Sequence, residues 1–381
     1  MSRFPGFGDF AGRTWLNTAH QGALPLAAAE AAREAVAWKT MPFELTQARF
    51  DETPAKLRAA LARLVNVPDD QVVLSNSASY GLNLIATAYP WREGDEVLVM
   101  AGDFPSDILP WLLAERRHGI KVTRIRPRGR VVEPDELAAA IGPATRLFCT
   151  TWVHSFSGYA VDLAGLGAVC RDHGVAFVVN GSQALGARPV DLATAPVDAF
   201  VSVGFKWLCG PYGSGFAWIA PDLAARLSRT KAYWLAQQTA ADLAGAVGDV
   251  EIRDGLGARG YDVFGTANFF NFVPFRVAVE HLTALGPVPI RDHDQALVQR
   301  FLDGLDRERF VVTSPTEPGE RRSTLVYFGH RDSARNAAIH RALLDQGIYV
   351  ASRAGALRLA PHLYNDDDDI DRALAALHEA A

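Results

Sequence analysis

The sequence predicts an α/β protein, with a mainly parallel seven-stranded sheet in a large domain and a small α+β domain at the carboxyl end. Short β-branched runs alternate with helical stretches, and this alternation is typical of right-handed βαβ units. Two runs, at 146–151 and 175–180, are almost entirely apolar, as strands buried on both faces are. The chain of 381 residues is also long enough for two cores.

Each expected strand of the large domain is a short apolar or β-branched run bounded by turn-forming residues. The runs lie at 71–76, 96–100, 121–126, 146–151, 175–180, 199–203 and 215–220. Helices are predicted between them at 78–88, near 106–118, near 134–141 and near 164–173. This order places helices on both faces of the sheet.

The pattern changes beyond about residue 270 and predicts a smaller domain. Strands at 325–330, 348–353 and 356–361 accompany helices over 333–346 and from Asp366 onward. The acidic run from Asp366 to Asp369 is typical of a helix amino terminus, and we expect no metal site. We predict an N-terminal segment over 1–20 that packs near the site, a large domain over 21–270 and a small domain over 271–381.

Composition and charge exclude several classes of function. The net charge is −5 and the basic residues are scattered, so nothing favours binding to nucleic acid or to an anionic membrane. Three cysteines are too few for a disulfide framework or a zinc knuckle. The first residues lack a continuous apolar run, and no segment approaches a membrane span. We therefore expect a cytoplasmic protein.

Three polar or glycine-rich turns follow strands, at 75–81, 179–186 and 203–215. Ligands gather at the carboxyl ends of strands in open parallel sheets. Lys206 lies in the third turn between Phe205 and Trp207, where desolvation would lower its pKa and favour a nucleophilic amine. A lysine whose stem merely covers an apolar wall is an equally open interpretation of this position alone.

The segments VVNGSQALG and DAFVSVGFKWLCGPYGSGFAWI resemble the cofactor-binding core of the class V aminotransferase superfamily. The spacing between Asn180 and Lys206 fits that core. The resemblance runs from TWLNTAHQGALP (14–25) to LYNDDDDIDRAL (363–374), and GFKWLCGPYG with ALRLAPHLYN favours the isopenicillin N epimerase-like branch. It implies a fold type I enzyme dependent on pyridoxal 5′-phosphate (PLP).

The resemblance implies a role for each matching residue. Lys206 would hold PLP as a Schiff base and move the Cα proton once substrate has displaced it. The N–H groups of Ala78 and Ser79, with the Ser79 hydroxyl, would bind the phosphate at a helix amino terminus. Simple N-capping explains the same serines and is compatible with this role. Phe104 would stack on the cofactor ring.

Further matches concern the cofactor's edge and the substrate. Gln183 would lie near the phenolic oxygen of PLP, and Ser155 falls where desulfurases use asparagine. His154, beside it, is expected to reach the substrate. Arg358 would bind the substrate α-carboxylate through two parallel hydrogen bonds. The mouth of the site is expected to include Asn17 and His20.

One match predicts assembly, and others depart from the family pattern. Thr266 resembles the threonine that reaches the phosphate in the neighbouring subunit, which implies a homodimer with shared sites.

Val203 and Phe205 replace the serine and histidine common in relatives, so phosphate contacts are expected from Ser202, Ser79 and Thr266 instead. The surroundings look apolar, which suits a hydrophobic or bulky substrate and is equally compatible with ordinary aromatic core packing. The aromatic residues concerned are Phe104, Phe156, Phe205, Trp207 and Phe264.

Asn180 is the largest departure, because the family has an aspartate there that pairs with the pyridine nitrogen. An asparagine amide would most naturally donate to an unprotonated nitrogen, which would weaken the electron sink. We therefore expect little quinonoid and little plain transamination. The stretch SRAGALR before Arg358 contains no cysteine, which argues against a persulfide-forming desulfurase.

The sequence therefore predicts a PLP enzyme that acts on an amino acid through an external aldimine and resembles isopenicillin N epimerase. Epimerisation needs a second proton donor, for which His154 and Tyr80 are candidates. The alternative is a C–S β-lyase, or another eliminating or decarboxylating enzyme, that acts on a cysteine S-conjugate. A non-catalytic ligand-binding protein of the PLP fold is the alternative from another class.

Overall fold

The computed structural model describes residues 3–380 except 240, 241, 243 and 246–249. The described part leaves out residues 1 and 2 of the predicted N-terminal segment, those seven residues of the predicted large domain and residue 381 of the predicted small domain. The strands are β1 (Thr14–Trp15), β2 (Val72–Ser75), β3 (Glu96–Met100), β4 (Lys121–Ile125), β5 (Thr145–Thr151), β6 (Ala176–Asn180), β7 (Ala199–Val203), β8 (Gly215–Ile219), β9 (Phe310–Val312), β10 (Val326–His330), β11 (Ile348–Tyr349), β12 (Ala351–Arg353) and β13 (Ala356–Leu359).

Helices cover the sheets and form the amino-terminal region. They are α1 (Leu26–Thr40), α2 (Gln47–Val65), α3 (Ala78–Ala88), α4 (Leu109–His118), α5 (Pro134–Ala140), α6 (Leu163–Asp172), α7 (Pro221–Ala224), α8 (Trp234–Gln237), α9 (Phe269–Leu285), α10 (Pro287–Gly304), α11 (Asn336–Asp345) and α12 (Asp367–Ala380). Short 3-10 turns lie at Phe10–Gly12, Pro42–Glu44, Asp69–Gln71, Pro105–Asp107, Gly257–Tyr261 and Ser333–Arg335. Within the described residues, no helix combines the length and the apolar character needed to cross a membrane.

The large sheet has the strand order β2-β8-β7-β6-β5-β3-β4. β8 runs antiparallel to β2 and β7, whereas the other neighbouring strands are parallel. The predicted mainly parallel seven-stranded sheet is therefore confirmed. Every residue of β6 is buried because both of its faces are covered.

Alternate side chains of the central strands enter two different cores. Phe148 of β5 and Phe177 of β6 stack at 5.5 Å on one face of the sheet. Cys149 and Val178, the next residue along each strand, belong to the core on the opposite face. This two-sided burial explains why 146–151 and 175–180 are apolar without alternation.

A second, antiparallel sheet of order β12-β13-β10-β9 carries the carboxyl-terminal part of the chain. Helices α10, α11 and α12 pack together beside it around a separate apolar core. The helices α1 and α2 pack instead on α9, so the packing partners change between α9 and α10, near Gly286. The boundary at residue 270 stays a prediction.

The single strand predicted over 348–353 is wrong in one respect. Ile348–Tyr349 pairs in parallel with β1, whereas Ala351–Arg353 pairs antiparallel with β13. The chain divides at Val350 because its two halves have different partners, one of which comes from the amino terminus. Similarly, the helix expected from about 106 begins at Leu109, because Pro105–Asp107 forms a 3-10 turn first.

Candidate active site

A cavity of about 520 Å³ opens at the carboxyl edge of the large sheet. Its walls include Asn180 at the end of β6, Lys206 after β7 and Phe104 after β3. The sequence-predicted site residues that line it are His20, Ala78, Ser79, Phe104, Ser155, Asn180, Gln183, Lys206 and Arg358. A volume of this size suits a small cofactor with its substrate.

Lys206 is partly buried among aromatic rings in this cavity. Its Nζ lies 5.7 Å from the ring centre of Phe104 and 5.9 Å from that of Phe205. Burial, followed by the positive charge of Arg358, lowers the pKa of Lys206 to about 8. A substantial fraction of the amine is therefore neutral near physiological pH and able to act as a nucleophile or base.

The loop that carries Lys206 is fixed from two sides. The N–H of Gly22 donates to the carbonyl oxygen of Phe205 at 2.9 Å, and a side chain at Gly22 would overlap the carbonyl oxygen of Lys206. The indole N–H of Trp207 donates to Gln183 Oε1 at 3.1 Å. These contacts hold the lysine in place without using its amine.

The amino terminus of α3 faces the same cavity. Ser77 caps the helix, since its hydroxyl oxygen accepts the N–H of Tyr80 at 3.2 Å. Ala78 and Ser79 follow it, and the first N–H groups of a helix have no partner within the helix. The N-cap interpretation therefore holds at Ser77 and leaves an anion-binding end at Ala78 and Ser79.

Asn180 is held by the protein on both ends of its amide. Its Nδ2 donates to Oδ1 of Asp107 at 2.8 Å, and its Oδ1 accepts the N–H of Ser182 at 3.0 Å. Asp107 is fully buried behind it, beside the buried Asp103. The amide donor expected to point into the site is thus directed at a carboxyl group.

Arg358 presents a buried guanidinium to the cavity. Its Nη2 donates to Oδ1 of Asn17 at 3.3 Å, whereas no described residue reaches its Nε. Only 4% of Arg358 is exposed, so this unpaired N–H is costly unless a ligand accepts from it. An arginine in this state is suited to bind a carboxylate.

A second arginine, Arg353, also lines the cavity and was not predicted as a site residue. In the β12–β13 hairpin, Ala351 pairs with Arg358 and Arg353 pairs with Ala356. Side chains two residues apart on a strand share a face, so both arginines project from the same side of the hairpin. Burial, and then the charges of Arg353, Arg358 and Lys206, lower the pKa of His20.

Several predicted site residues are not among those that line the cavity. His154 contacts Ser157 Oγ at 2.8 Å and the carbonyl oxygen of Gly102 at 3.1 Å. The Ser202 hydroxyl donates to the carbonyl oxygen of Val203 at 3.2 Å, on a fully buried strand. Asn17 lies behind Arg358 and contacts it.

Thr266 lies apart from Lys206, in a second cavity of about 510 Å³. Its predicted reach to the phosphate of a partner subunit stays a prediction. Of the expected aromatic residues, Phe156 lines the Lys206 cavity, but Trp207 is buried in the core and Phe264 is exposed near Tyr233. Trp207 belongs to the core because it packs against His362 rather than into the cavity.

Sequence reasoning also missed Asp103, Asp107 and Tyr212. Tyr212 lines the cavity and packs on Phe205 at 4.6 Å. The segment AGDFPSD reads as an ordinary turn, and only the distant pairing with Asn180 gives Asp107 its significance. Arg353 had a weaker signal, since it directly precedes the Ala354–Gly355 turn of a hairpin whose second strand carries Arg358.

Comparisons with known proteins agree with this geometry. The family model for class-V aminotransferases matches residues 44–372. Isopenicillin N epimerase of Streptomyces clavuligerus is 28% identical, and the match covers 95% of this chain and 93% of the relative. A probable cysteine desulfurase of Methanothermobacter thermautotrophicus is 25% identical, covering 85% and 82% respectively.

Solved structures show the same fold. A cystine C-S lyase in complex with its product, cysteine persulfide, has a TM-score of 0.88 at 25% identity and covers 98% of this chain and 99% of its own. A variant of that lyase with glycine covalently linked to its PLP cofactor has a TM-score of 0.86 at 24% identity, with 98% of each chain covered. Because desulfurases are among the relatives, the expectation against a desulfurase is not supported by these similarities.

Proposed function

The chain belongs to the class-V aminotransferase family and uses pyridoxal 5′-phosphate, and from this premise we propose that it is a C–S β-lyase. Its substrate is an amino acid whose α-carboxylate binds Arg358. The observation that carries the proposal is the unpaired, buried Nε of Arg358 in the same cavity as the Lys206 amine. A carboxylate bound there brings the Cα of an amino acid into the cavity of Lys206.

The groups that line the cavity fit the cofactor. Lys206 offers an amine with a lowered pKa for covalent attachment. The free N–H groups at Ala78 and Ser79 suit a phosphate, and Phe104 offers a flat aromatic face. Gln183 donates one amide hydrogen to the carbonyl oxygen of Ala19 and has a second for the cofactor's phenolic oxygen.

Lys206 is proposed as the base that takes the α-proton. When bound, PLP supplies a conjugated ring that accepts the electron pair left at Cα. The protein holds the base ready by excluding water with Phe104, Phe205 and Phe156, which line the cavity around it. Its lowered pKa places the neutral amine and its conjugate acid at comparable populations near the operating pH.

Arg353 supports a substrate with a second anionic group. It lies on the same face of the hairpin as Arg358 and lines the same cavity. No carboxylate is within ion-pair distance of Arg353 among the described residues. With Arg358 bound to the α-carboxylate, Arg353 is left without an anionic partner, and a distal carboxylate of the substrate would offset its charge. A cysteine S-conjugate with a distal carboxylate meets this requirement.

Elimination is favoured over epimerisation because neither of the two predicted second proton donors lines the cavity. Epimerisation needs a donor on each face of Cα, whereas β-elimination needs one base. Neither His154 nor Tyr80 is among the residues that line the cavity, and the Tyr80 hydroxyl donates to the carbonyl oxygen of Tyr261 at 2.7 Å. The similarity to a cystine C-S lyase gives this choice further support.

The proposed reaction is balanced without a redox partner. Lys206 takes the α-proton, the electron pair at Cα expels the thiolate from Cβ, and the thiolate gains a proton. Water then converts the released aminoacrylate to pyruvate and ammonium. The products from a cysteine S-conjugate are therefore a thiol, pyruvate and ammonium.

The test compares S-(2-carboxyethyl)cysteine with its isosteric amide, S-(2-carbamoylethyl)cysteine, in D₂O. We expect pyruvate and ammonium from both, with a higher kcat/KM for the carboxylate. Deuterium that enters the α position of recovered substrate without pyruvate would contradict a lyase and support an epimerase. Binding of either compound with neither pyruvate release nor deuterium entry at the α position would support a non-catalytic ligand-binding protein.

Epimerisation remains the second candidate because His20 lines the cavity. Its lowered pKa keeps the imidazole neutral, with one nitrogen able to donate and the other to accept. The similarity to isopenicillin N epimerase supports this alternative. Replacement of His20 by phenylalanine would abolish inversion at Cα in an epimerase but would leave pyruvate release from a lyase.

A homodimer is part of the proposal. Thr266 lies in a cavity separate from that of Lys206, so its contribution to a phosphate site requires a second chain. Phe264 and Trp234, near this cavity, expose 59% and 54% of their surface. Large apolar side chains exposed together favour association.

A further inference from the structure

Two carboxyl groups beside the cavity are buried without a cationic partner. Asp107 is fully buried and Asp103 is 5% exposed, and neither has a basic side chain within ion-pair distance in the described part of the chain. The buried Asp262 differs, because it is paired with Arg58. A buried negative charge without a partner is costly, so Asp103 and Asp107 point to a cation that binds from the cavity side.

The two carboxyl groups are not equivalent. Asp103 accepts the N–H groups of Thr151 and Phe104 at 2.9 and 2.8 Å, which stabilise its ionised form. Asp107 accepts from the Nδ2 of Asn180 at 2.8 Å and, at the longer distance of 3.5 Å, from the Ser106 hydroxyl. Burial raises the pKa of Asp103, and its two backbone donors oppose that rise, whereas the charge of Asp107 depends more on Asn180 and on what lies beyond it.

The groups that face Asp107 define its electrostatics. Burial, and then the charge of Asp103, raise the pKa of Asp107 well above its usual range, and Lys206 partly offsets this. Burial also raises the pKa of Asp103, and His154 partly offsets that rise. The neighbouring thiol of Cys149 stays protonated, because burial raises its pKa. A further cation in the cavity would favour ionised Asp107.

Asn180 connects this carboxyl group to the cavity. Asn180 lines the cavity, whereas Asp107 does not. The Nδ2 of Asn180 donates to Asp107, and the Oδ1 of Asn180 accepts one hydrogen bond from the N–H of Ser182. A carbonyl oxygen accepts two hydrogen bonds, and donation to a carboxylate polarises the amide and strengthens that oxygen as an acceptor.

We propose that Asp107, acting through the amide of Asn180, keeps the ring nitrogen of the bound PLP protonated. A protonated pyridine nitrogen is both a cation and an N–H donor. Its charge matches the Asp107 carboxylate, and its N–H matches the Oδ1 acceptor of Asn180. Asp107 is a positioning residue here, since Asn180 stands between it and the cofactor. A protonated ring nitrogen would make the cofactor a stronger electron acceptor than is expected from the asparagine alone.

This proposal rests on the proposed function, because it requires that PLP is bound at Lys206. The experiment uses holoenzyme loaded with PLP labelled with ¹⁵N in the ring, whose chemical shift reports the protonation of that nitrogen. At neutral pH we expect a protonated nitrogen in the wild type and an unprotonated one in Asp107→Asn. The variant should also bind PLP about tenfold more weakly, because a charge-assisted interaction is lost.

The matched control is Asp198→Asn, which removes a carboxylate at the opposite, amino-terminal end of β7. It should leave the nitrogen shift unchanged. The double variant Asn180→Asp with Asp107→Asn moves the carboxylate next to the cavity and should restore the protonated nitrogen.

An unprotonated ring nitrogen in the wild type would overturn the inference, as would a protonated one in Asp107→Asn. If Asp107→Asn does not fold, the wild-type and double-variant spectra decide. An unprotonated nitrogen in the folded double variant would likewise overturn it. Failure of PLP to attach to Lys206 would overturn the proposed function and this inference together, whereas a wrong nitrogen state with PLP on Lys206 would overturn only the inference.

Discussion

The Nε2 of His362 lies 3.0 Å from the carbonyl oxygen of Trp207, the residue that follows the candidate cofactor lysine. The other ring nitrogen, Nδ1, lies 2.8 Å from Oδ2 of the buried Asp294. Both ring nitrogens therefore face acceptors. Although burial alone lowers it, the Asp294 carboxylate raises the pKa of His362 to about 10. The loop of Lys206 thus rests on a buried imidazolium–carboxylate pair.

Replacement of His362 by glutamine should destabilise the protein by about 3–5 kcal/mol, because Asp294 would lose its partner inside the core. The pKa of His362 rises on folding from 6.5 to about 10, so its contribution is complete below pH 6.5 and is lost as pH rises toward about 10. Urea unfolding of wild type and variant over this range measures the effect. A wild-type stability that rose from pH 6.5 to 10 while the variant's did not would contradict it.

The lowered pKa of Lys206 predicts how the apoprotein takes up PLP. The rate of covalent attachment should rise with pH through about 8 and then level, because the neutral amine is the nucleophile. Arg358→Met removes the second cause of the lowered pKa and should move this midpoint upward. Stopped-flow absorbance measures the rate, and a wild-type midpoint near 10.5, the ordinary value for lysine, would refute the prediction.

Arg358→Lys should raise the KM of an amino-acid substrate by about ten- to a hundredfold, since a lysine cannot make two parallel hydrogen bonds to a carboxylate. The change should fall mainly on KM, because the group binds the substrate before and during reaction. Steady-state kinetics with S-(2-carboxyethyl)cysteine measure it. An unchanged KM would exclude Arg358 as the α-carboxylate ligand.

Arg353→Met should remove the preference for a distal carboxylate. The kcat/KM for S-(2-carboxyethyl)cysteine should fall about tenfold, to the level of the isosteric amide, since one charge-assisted hydrogen bond is lost. The amide substrate itself should be little affected. Arg335→Met, which removes an exposed arginine from a surface turn, is the control. An equal loss for both substrates would indicate a structural role for Arg353.

Thr266→Val tests the shared site. If Thr266 binds the phosphate held by the partner subunit, Thr266→Val and Lys206→Ala homodimers should each be impaired. Their mixture should contain hybrid dimers with one complete site, because each chain supplies what the other lacks. Recovery of PLP affinity after mixing would support this arrangement, and the absence of recovery in hybrids verified by mass spectrometry would exclude it.

Local sequence pattern predicted the strands of the large sheet well, because burial on both faces leaves an apolar signature in each strand. Pattern alone placed Lys206 in a turn after a buried strand, whereas the expected roles of Asn180 and Arg358 came from the family resemblance; all three line one cavity. It could not divide 348–353 into two strands, since the partner of Ile348–Tyr349 comes from the amino terminus. Nor could it predict the Asp107–Asn180 contact, whose residues are far apart in the chain.

The most direct test of Lys206 as the cofactor lysine is borohydride reduction of the holoenzyme, followed by peptide mass spectrometry. Lys231 is an internal control, because burial also lowers its pKa to about 8 while it lies outside the cavity, 3.9 Å from the ring centre of Tyr80. We expect the mass of reduced PLP on the peptide that contains Lys206 and none on that of Lys231. Cofactor on Lys231, or on no lysine, would contradict the assignment.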